Sequence, residues 1–184
     1  MSDLTNLIQR IKKRDHQAQT EVYHQYKKGW FMICLRYNKN REDASDALQN
    51  ALINIFQKIE QFDLKKGNFL AWSNRIVINE NLMLLRKKVS AFNIGEIRDD
   101  LDIFDQNETP VEKLSVEELT NLVQTLPHGY RAVFNLYVMD GYTHPEIAKK
   151  LNISSGTSKS QLFKARKLLQ GKLEVLLSTE EYGR

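Results

Sequence analysis

Residues 143–169 read T-H-P-E-I-A-K-K-L-N-I-S-S-G-T-S-K-S-Q-L-F-K-A-R-K-L-L, and this stretch decides how the rest of the chain is read. Thr143 and Glu146 have the T-x-x-E spacing of a capping box, and Pro145 falls in the first turn, where a missing N–H costs little. Ile147, Ala148 and Leu151 then share one apolar face. Asn152 sits where the chain must turn, and Asn tolerates the left-handed conformation better than most residues. Ser154 or Ser155 can cap a second helix whose inner face is Leu162, Ala165, Leu168 and Leu169.

The outer face of that second helix carries Thr157, Lys159, Ser160, Gln161, Lys164, Arg166 and Lys167. The pattern predicts a helix-turn-helix whose second helix enters a major groove. Small hydroxyls and a Gln near the helix start suit base edges, while Lys and Arg further along suit phosphates. A helical hairpin with a solvated basic face is the other reading of the same residues.

The 184-residue chain can hold one domain or two small ones. Its 41% hydrophobic content supports packed cores, and a mean hydropathy of −0.50 with 27% charged residues indicates large polar surfaces. Eight Gly and three Pro are few, which favours long helices over a turn-rich β fold. The single Cys34 excludes an internal disulfide and a cysteine-based zinc cluster, and its apolar neighbours predict a buried, inert thiol. No signal-peptide pattern follows Met1, and no apolar run reaches membrane-spanning length, so a cytoplasmic protein without membrane insertion is expected.

Charge is unevenly distributed. Residues 1–88 hold 16 Lys/Arg against 9 Asp/Glu, residues 89–119 hold 2 against 9, and residues 143–172 hold 7 against 1. Two basic blocks separated by an acidic segment suggest two surfaces for a polyanion.

Leu4, Leu7, Ile8 and Ile11 mark a short amphipathic helix ending in Lys12-Lys13-Arg14. Asp15 can cap the next, whose apolar face includes Ala18, Val22, Tyr26, Trp30, Ile33 and Tyr37. His16 and His24 have no metal-ligand companions and read as surface residues. Asn40 or Arg41 opens a third helix running to about Glu60, with Ala44, Ala47, Leu48, Ala51, Leu52, Ile55 and Ile59 as core. Asp43 and Asp46 fall on other faces, where they serve either as first-turn charges that suit the helix dipole or as a binding surface.

After the polar loop 62–68 a fourth helix begins at Phe69, with Leu70, Ile76, Ile78, Leu82 and Leu85 expected in the core. Asn74, Arg75, Asn79, Asn81, Arg86, Lys87 and Lys88 give it many polar and cationic groups. A basic loop feeding such a helix could hold single-stranded nucleic acid, with Trp72 either stacking on a base or serving as core. Residues 90–112, rich in Asp, read as an acidic linker. Helical pattern returns from Val111 through Leu114, Leu119, Leu122 and Val123. Pro127 starts another helix with Ala132, Val133, Leu136 and Val138 inward, ended by Asp140-Gly141; residues 179–184 read as a tail.

Taken together, these pieces resemble the extracytoplasmic-function (ECF) sigma factors, small bacterial transcription initiation subunits, and the resemblance covers nearly the whole chain. The family's D-A-E-D-L-x-Q-x-x-F-like helix corresponds to Asp43-Ala44-Ser45-Asp46-Ala47-Leu48-Gln49. Its F-x-x-W-L-x-R-I-A-x-N segment is matched by Phe69, Trp72, Arg75, Ile76 and Asn79, with Arg86 after it. L-P-x-x-x-R-x-V-F is matched by Leu126-Pro127, Arg131 and Val133-Phe134. Y-x-x-x-E-I-A is matched by Tyr142, Glu146, Ile147 and Ala148, and G-T-x-K-S-x-L-x-x-A-R-x-x-L by residues 156–169.

The resemblance implies an all-α protein of two small helical domains joined by an acidic linker, the second holding the helix-turn-helix. Residues 1–89 would be region 2, 90–112 the linker and 113–178 region 4. It implies core RNA polymerase and promoter DNA as partners, a further anti-sigma partner, no cofactor or metal, and no catalytic residues. Asp43, Asp46, Gln49 and Asn50 would dock on the polymerase clamp. Lys65, Lys66, Gly67 and Asn68 would capture an extruded base of the −10 element, with Trp72, Asn74, Arg75, Asn79, Arg86 and Lys87 beside the melting DNA. Thr157, Lys159, Ser160, Gln161, Lys164 and Arg166 would read and grip the −35 element. The linker would thread the polymerase near the RNA exit path.

The chain departs from the family pattern in four places. Ser45 stands for the usual Glu and Leu52 for the usual Phe, which alters the edge of the docking face. Ser158 replaces a Val that packs inside the helix-turn-helix, a burial costing roughly 1–3 kcal/mol unless the hydroxyl bonds a nearby carbonyl. Gln161 replaces an Arg, and since Gln suits adenine where Arg suits guanine, an altered −35 preference is expected.

The rival reading is a free-standing helix-turn-helix repressor or activator with residues 1–88 as a dimerisation domain, which has no use for the 65–68 loop. Enzymatic readings are poorer. His128 and His144 have no partnered nucleophile in the pattern, His144 reads as a surface residue at a helix start, and no phosphate-cradling glycine loop exists.

Overall fold

The computed structural model describes residues 3–91 and 115–181, and every element among them is helical. Residues 1–2, 92–114 and 182–184 lie outside the described residues, and with them most of the acidic linker and the expected contributions of Val111 and Leu114. By packing, the chain divides into two compact units, Met1–Leu84 and Leu85–Arg184.

The first unit contains α1 (Asp3–Lys12), α2 (His16–Tyr37), α3 (Arg41–Lys58), a 3₁₀ turn at Ile59–Gln61, and α4 (Phe69–Ala91), which runs past the division. Asp15 caps α2 as its position predicts: its carboxylate accepts from the backbone N–H of Gln17 and Ala18 and from Arg10 at 2.8 Å. These three bonds, the one from Arg10 foremost, hold the Asp15 carboxyl below its ordinary pKa. Of the two residues that could open α3, Asn40 is the cap; its Oδ1 accepts from Asp43 N–H at 2.7 Å.

The inner stripe of α4 is Phe69, Ser73, Val77 and Asn81, all buried. Two of these are polar, which is why a search for apolar periodicity misplaces the stripe. Leu70, expected in the core, is 42% exposed, because a step of about 100° past Phe69 turns it outward. Ile76 is likewise only half-buried. The polar members are satisfied across the core. Trp30 Nε1–H donates to Ser73 Oγ at 3.2 Å, and Asn38 Nδ2 donates to Asn81 Oδ1 at 2.6 Å. Asn81 Nδ2 donates in turn to the Val77 carbonyl at 2.8 Å and lies 3.4 Å from Cys34 Sγ. Burial pushes the Cys34 thiol up to about 11, so it stays protonated and unreactive at neutral pH.

The second unit contains α5 (Val116–Gln124), α6 (His128–Phe134) continuing into a π-helical segment (Asn135–Met139), α7 (His144–Leu151) and α8 (Ser155–Glu181). α8 thus extends into the stretch read as tail. Ser115 and Glu118 form a capping box on α5. Arg131 is almost fully buried, donating Nη1–H to the Gln124 carbonyl at 3.0 Å with Nη2 2.9 Å from His128 Nδ1, and so ties the end of α5 to α6.

Val138 was expected to face inward and is 44% exposed. The π-helical segment is the reason: its wider turns rotate the residues after Leu136 off the inner face. Tyr137 and Met139 are exposed with it. Gly141 then takes a φ of +74°, a left-handed turn suited to glycine, and leads into α7.

Candidate nucleic-acid and polymerase interfaces

Three surfaces carry the candidate residues: one on α3, one on the turn before α4 and along that helix, and one on α7 and α8. On α3 the buried face is Ala44, Ala47, Leu48, Ala51 and Ile55. Asp46, Gln49 and Asn50 are exposed on the opposite side, and Asp43 is half-buried one turn earlier. Asp46, Asn50 and Ile53 follow at i, i+4 and i+7, so Ile53, 54% exposed, continues the same stripe. Sequence reading missed Ile53 because the core pattern was assigned to Leu52 and Ile55. An apolar residue seven positions after Asp46 was the available signal.

The second surface is the turn between the 3₁₀ segment and α4. Lys12 Nζ donates to the Phe62 carbonyl at 2.8 Å and pins the start of the turn to α1. Asp63 Oδ1 accepts from Lys65 N–H at 2.9 Å, and the Asp63 carbonyl accepts from Lys66 N–H at 3.0 Å. Asn68 Oδ1 accepts from Leu70 N–H at 2.7 Å and starts α4. The turn is therefore built by Asp63 and Asn68, and it holds Lys65, Lys66, Gly67 and Asn68 exposed. Because the Asn68 carbonyl oxygen caps the helix, its amide N–H groups are what it offers to a ligand.

Trp72 sits behind this turn, with ring centroids 5.1 Å from Phe62 and 5.8 Å from Phe69. Those two phenylalanines flank the turn, so the half-buried indole bridges its two ends and is both core and rim. Along α4, Arg75, Asn79, Arg86 and Lys87 are exposed. Asn74 is half-buried, and its Oδ1 is enclosed with no hydrogen-bond donor. Asn81 belongs to the buried network instead.

The third surface is the pair α7 and α8. The capping box forms as spaced: Glu146 Oε2 accepts from Thr143 N–H at 2.8 Å and from its hydroxyl at 2.7 Å. Asn152 takes φ 56° and ψ 49°, the left-handed turn expected of it. Ser154, of the two serines considered, caps α8; its Oγ accepts from Thr157 N–H at 2.9 Å and lies 2.8 Å from Thr157 Oγ1. Thr157 is thereby half-buried and committed to the helix start.

Ser158, Leu162, Ala165, Leu169 and Leu173 form the buried face of α8. Lys159, Ser160 and Arg166 are exposed on the other side, and Lys164 is intermediate. Gln161 lies at the edge; its amide packs so closely on Gly129 that a β-carbon there would be 3.3 Å from Oε1. Phe163, 37% exposed, lies among the cations of the outer face and was not singled out from sequence. An aromatic outside the heptad-like inner stripe was the signal.

Two expectations about this surface need correcting. The buried Ser158 Oγ is 2.9 Å from His144 Nδ1. His144 is accordingly not a free surface residue. It is half-buried, its ring stacked on Tyr137 with centroids 4.5 Å apart. The pair is a histidine with a serine hydroxyl, which the sequence reading denied. Ser158 has no exposed surface, however, so no substrate can reach that oxygen and the pair is not a nucleophilic centre.

The fold and these surfaces define a two-part helical protein with a helix-turn-helix in its second unit. Comparison with known proteins then places it. The sigma-70 region 2 model matches residues 22–90, and the sigma-70 region 4 model matches residues 116–169. The ECF RNA polymerase sigma factor SigW of Bacillus subtilis is 29% identical over 180 residues, covering 92% of this chain and 96% of that protein. The ECF RNA polymerase sigma-E factor of Escherichia coli K12 is 24% identical over 186 residues, covering 93% and 94%. Among solved structures, RpoE of Bartonella quintana, in complex with the anti-sigma factor NepR, superposes with a TM-score of 0.53 at 18% identity. That superposition covers 85% of this chain and 96% of the other, and at such identity it bears on the fold alone. The chain belongs to the sigma-70 family, in its ECF group.

Proposed function

We propose that this chain is an ECF-type RNA polymerase sigma factor that brings core polymerase to specific promoters and helps open the −10 element. The observation that carries the reading is the presence, on one chain, of a region 2 with an exposed, rigidly built basic turn and a region 4 with a basic helix-turn-helix. A free-standing repressor needs the second and has no use for the first.

The residues take these roles. Residues 1–89 act as region 2, 90–112 as linker, 113–178 as region 4 and 179–184 as tail. Asp43, Asp46, Gln49 and Asn50 dock on core polymerase, with Ile53 supplying an apolar contact in the same stripe. Lys65, Lys66, Gly67 and Asn68 receive a base flipped from the −10 element, with the phosphates held by Arg75, Arg86 and Lys87. Trp72 keeps the ends of the turn together and offers its exposed edge; Asn74 and Asn79 supply hydrogen-bonding groups. Flipping costs a few kcal/mol of lost stacking, which contacts in the turn and the energy of polymerase docking offset.

On the second unit Lys159, Lys164 and Arg166 grip −35 phosphates and Ser160 and Gln161 meet base edges, while Thr157 fixes the helix start. Phe163 suits a thymine methyl group. The protein performs no chemistry of its own and acts in the cytoplasm. An anti-sigma partner, as in the structural relative bound to NepR, would cover the polymerase-facing surfaces.

Run-off transcription with core polymerase over a pool of promoters tests the reading. Discrete starts that need this protein and vanish with Asp46→Arg are expected, and Gln161→Arg should change the selected −35 bases. Tight binding of the protein alone to a palindromic duplex, with no new starts, would refute it.

A further inference from the structure

His144 is the one histidine whose surroundings combine a buried hydroxyl, an aromatic ring and the cations of the proposed DNA face. Its Nδ1 lies 2.9 Å from Ser158 Oγ, its ring is stacked 22° off parallel on Tyr137, and the Arg166 guanidinium is 6.0 Å from the centre of that same tyrosine. Nδ1 is engaged, so only Nε2 remains for a ligand.

The charged or titratable groups facing His144 are few. Tyr137 comes from the π-helical segment, and Lys159 and Arg166 come from α8. Glu146, on its own helix, is engaged with Thr143. Partial burial first, and then Lys159 and Arg166, depress the imidazole below its ordinary pKa, so the free protein holds it neutral near pH 7.

Resting on the assignment of α8 to the −35 element, we propose that His144 is a further ligand of the DNA backbone, through Nε2, and that binding the −35 duplex charges it. A phosphate between His144, Lys159 and Arg166 offsets the repulsion from the two cations that, with burial, keeps the imidazole neutral, so the ring takes up a proton. One proton enters from solvent for each complex formed.

Ser158 is what permits this. Facing a neutral imidazole its hydroxyl donates to Nδ1. Facing an imidazolium it accepts from Nδ1–H, and its own proton turns to the Ser154 carbonyl one helical turn back, as serine hydroxyls in helices do. That carbonyl already accepts from Ser158 N–H at 3.0 Å and has a second lone pair. The anchoring contact therefore survives both protonation states; Nε2–H is a donor in each, and the proton gained at Nδ1 adds the positive charge that strengthens its bond to a phosphate. A valine at this position could not hold the ring in either state.

The test is the pH dependence of promoter binding by the holoenzyme, at constant ionic strength, on a promoter duplex and on the same duplex with its −35 element replaced. Wild type should bind the intact promoter more tightly at pH 6 than at pH 8 by about five- to tenfold, since one unit of pKa shift is a factor of ten in the coupled equilibrium. His144→Asn keeps a polar group for Ser158 without a titratable charge, and should bind at both pH values as wild type does at pH 8. His144→Arg should bind tightly at both. A His144→Asn holoenzyme with the wild-type pH profile, or a wild-type profile that persists when the −35 element is replaced, would overturn the proposal. Failure of the wild-type holoenzyme to select the intact promoter at any pH would instead overturn the sigma-factor reading.

Discussion

Removing His144 should destabilise the helix-turn-helix more than removing Ser158, although both delete the same hydrogen bond. Ser158 has no exposed surface, and its Oγ meets His144 Nδ1 at 2.9 Å. His144→Ala leaves a buried hydroxyl with only a carbonyl of its own helix, and loses the stack on Tyr137 at 4.5 Å. The first effect is worth roughly 1 kcal/mol after the back-bond forms, and the second about 0.5–1.5 kcal/mol, for a total near 2 kcal/mol. Ser158→Ala loses the bond, about 1 kcal/mol, but also relieves a comparable cost of burying the hydroxyl. The half-buried imidazole can turn its Nδ1 to water, so the net change should lie within about 0.5 kcal/mol.

Both tryptophans, Trp30 and Trp72, lie in the first unit, so indole fluorescence does not report on this region. Hydrogen exchange of amides in α7 and the first turns of α8 does. His144→Ala should raise their exchange by roughly 30-fold, and Ser158→Ala by less than about threefold. The double variant should resemble His144→Ala with part of the loss restored, since no hydroxyl is then left stranded. Equal effects of the two single variants, or simple addition in the double, would show that the contact is not what holds these helices together.

Gly67 has no positive φ and open space where a β-carbon would stand, so Gly67→Ala should leave thermal stability unchanged. Transcription from promoters that depend on the −10 turn should fall if a base approaches that backbone closely, and unchanged opening by permanganate footprinting would remove Gly67 from the site. At the α1–α2 junction, Asp15 is held below its ordinary pKa by Arg10 and two backbone N–H groups, so its contribution is present above the unfolded carboxyl pKa. It is lost as pH falls through the lower folded value; in acid titration Asp15→Asn should flatten that part of the stability curve, and an unchanged curve would contradict the assignment.

Local chemistry was legible in the residues themselves. Asp15, Asn40, Thr143 with Glu146, and Asn152 occupy the caps and turns their side chains suit, because a cap depends on a few neighbouring atoms and not on distant packing. The all-helical class and the order of helices followed from periodicity in the same way, and the family motifs supplied the functional frame.

What needed tertiary structure was every position whose environment comes from another element. The α4 stripe contains Ser73 and Asn81 because Trp30 and Asn38 on α2 and its end supply partners, and no local pattern in α4 announces that. Val138 turns outward because a π-helical segment changes the helical phase, a register shift that side-chain periodicity assumes away. Ser158 is tolerated in a core position because His144, fourteen residues earlier, is brought to its hydroxyl by the turn at Asn152. Backbone preference and amphipathicity are properties of short segments and can be read along the chain. Satisfaction of buried polar groups is a property of pairs of segments, and it is decided only when the helices pack.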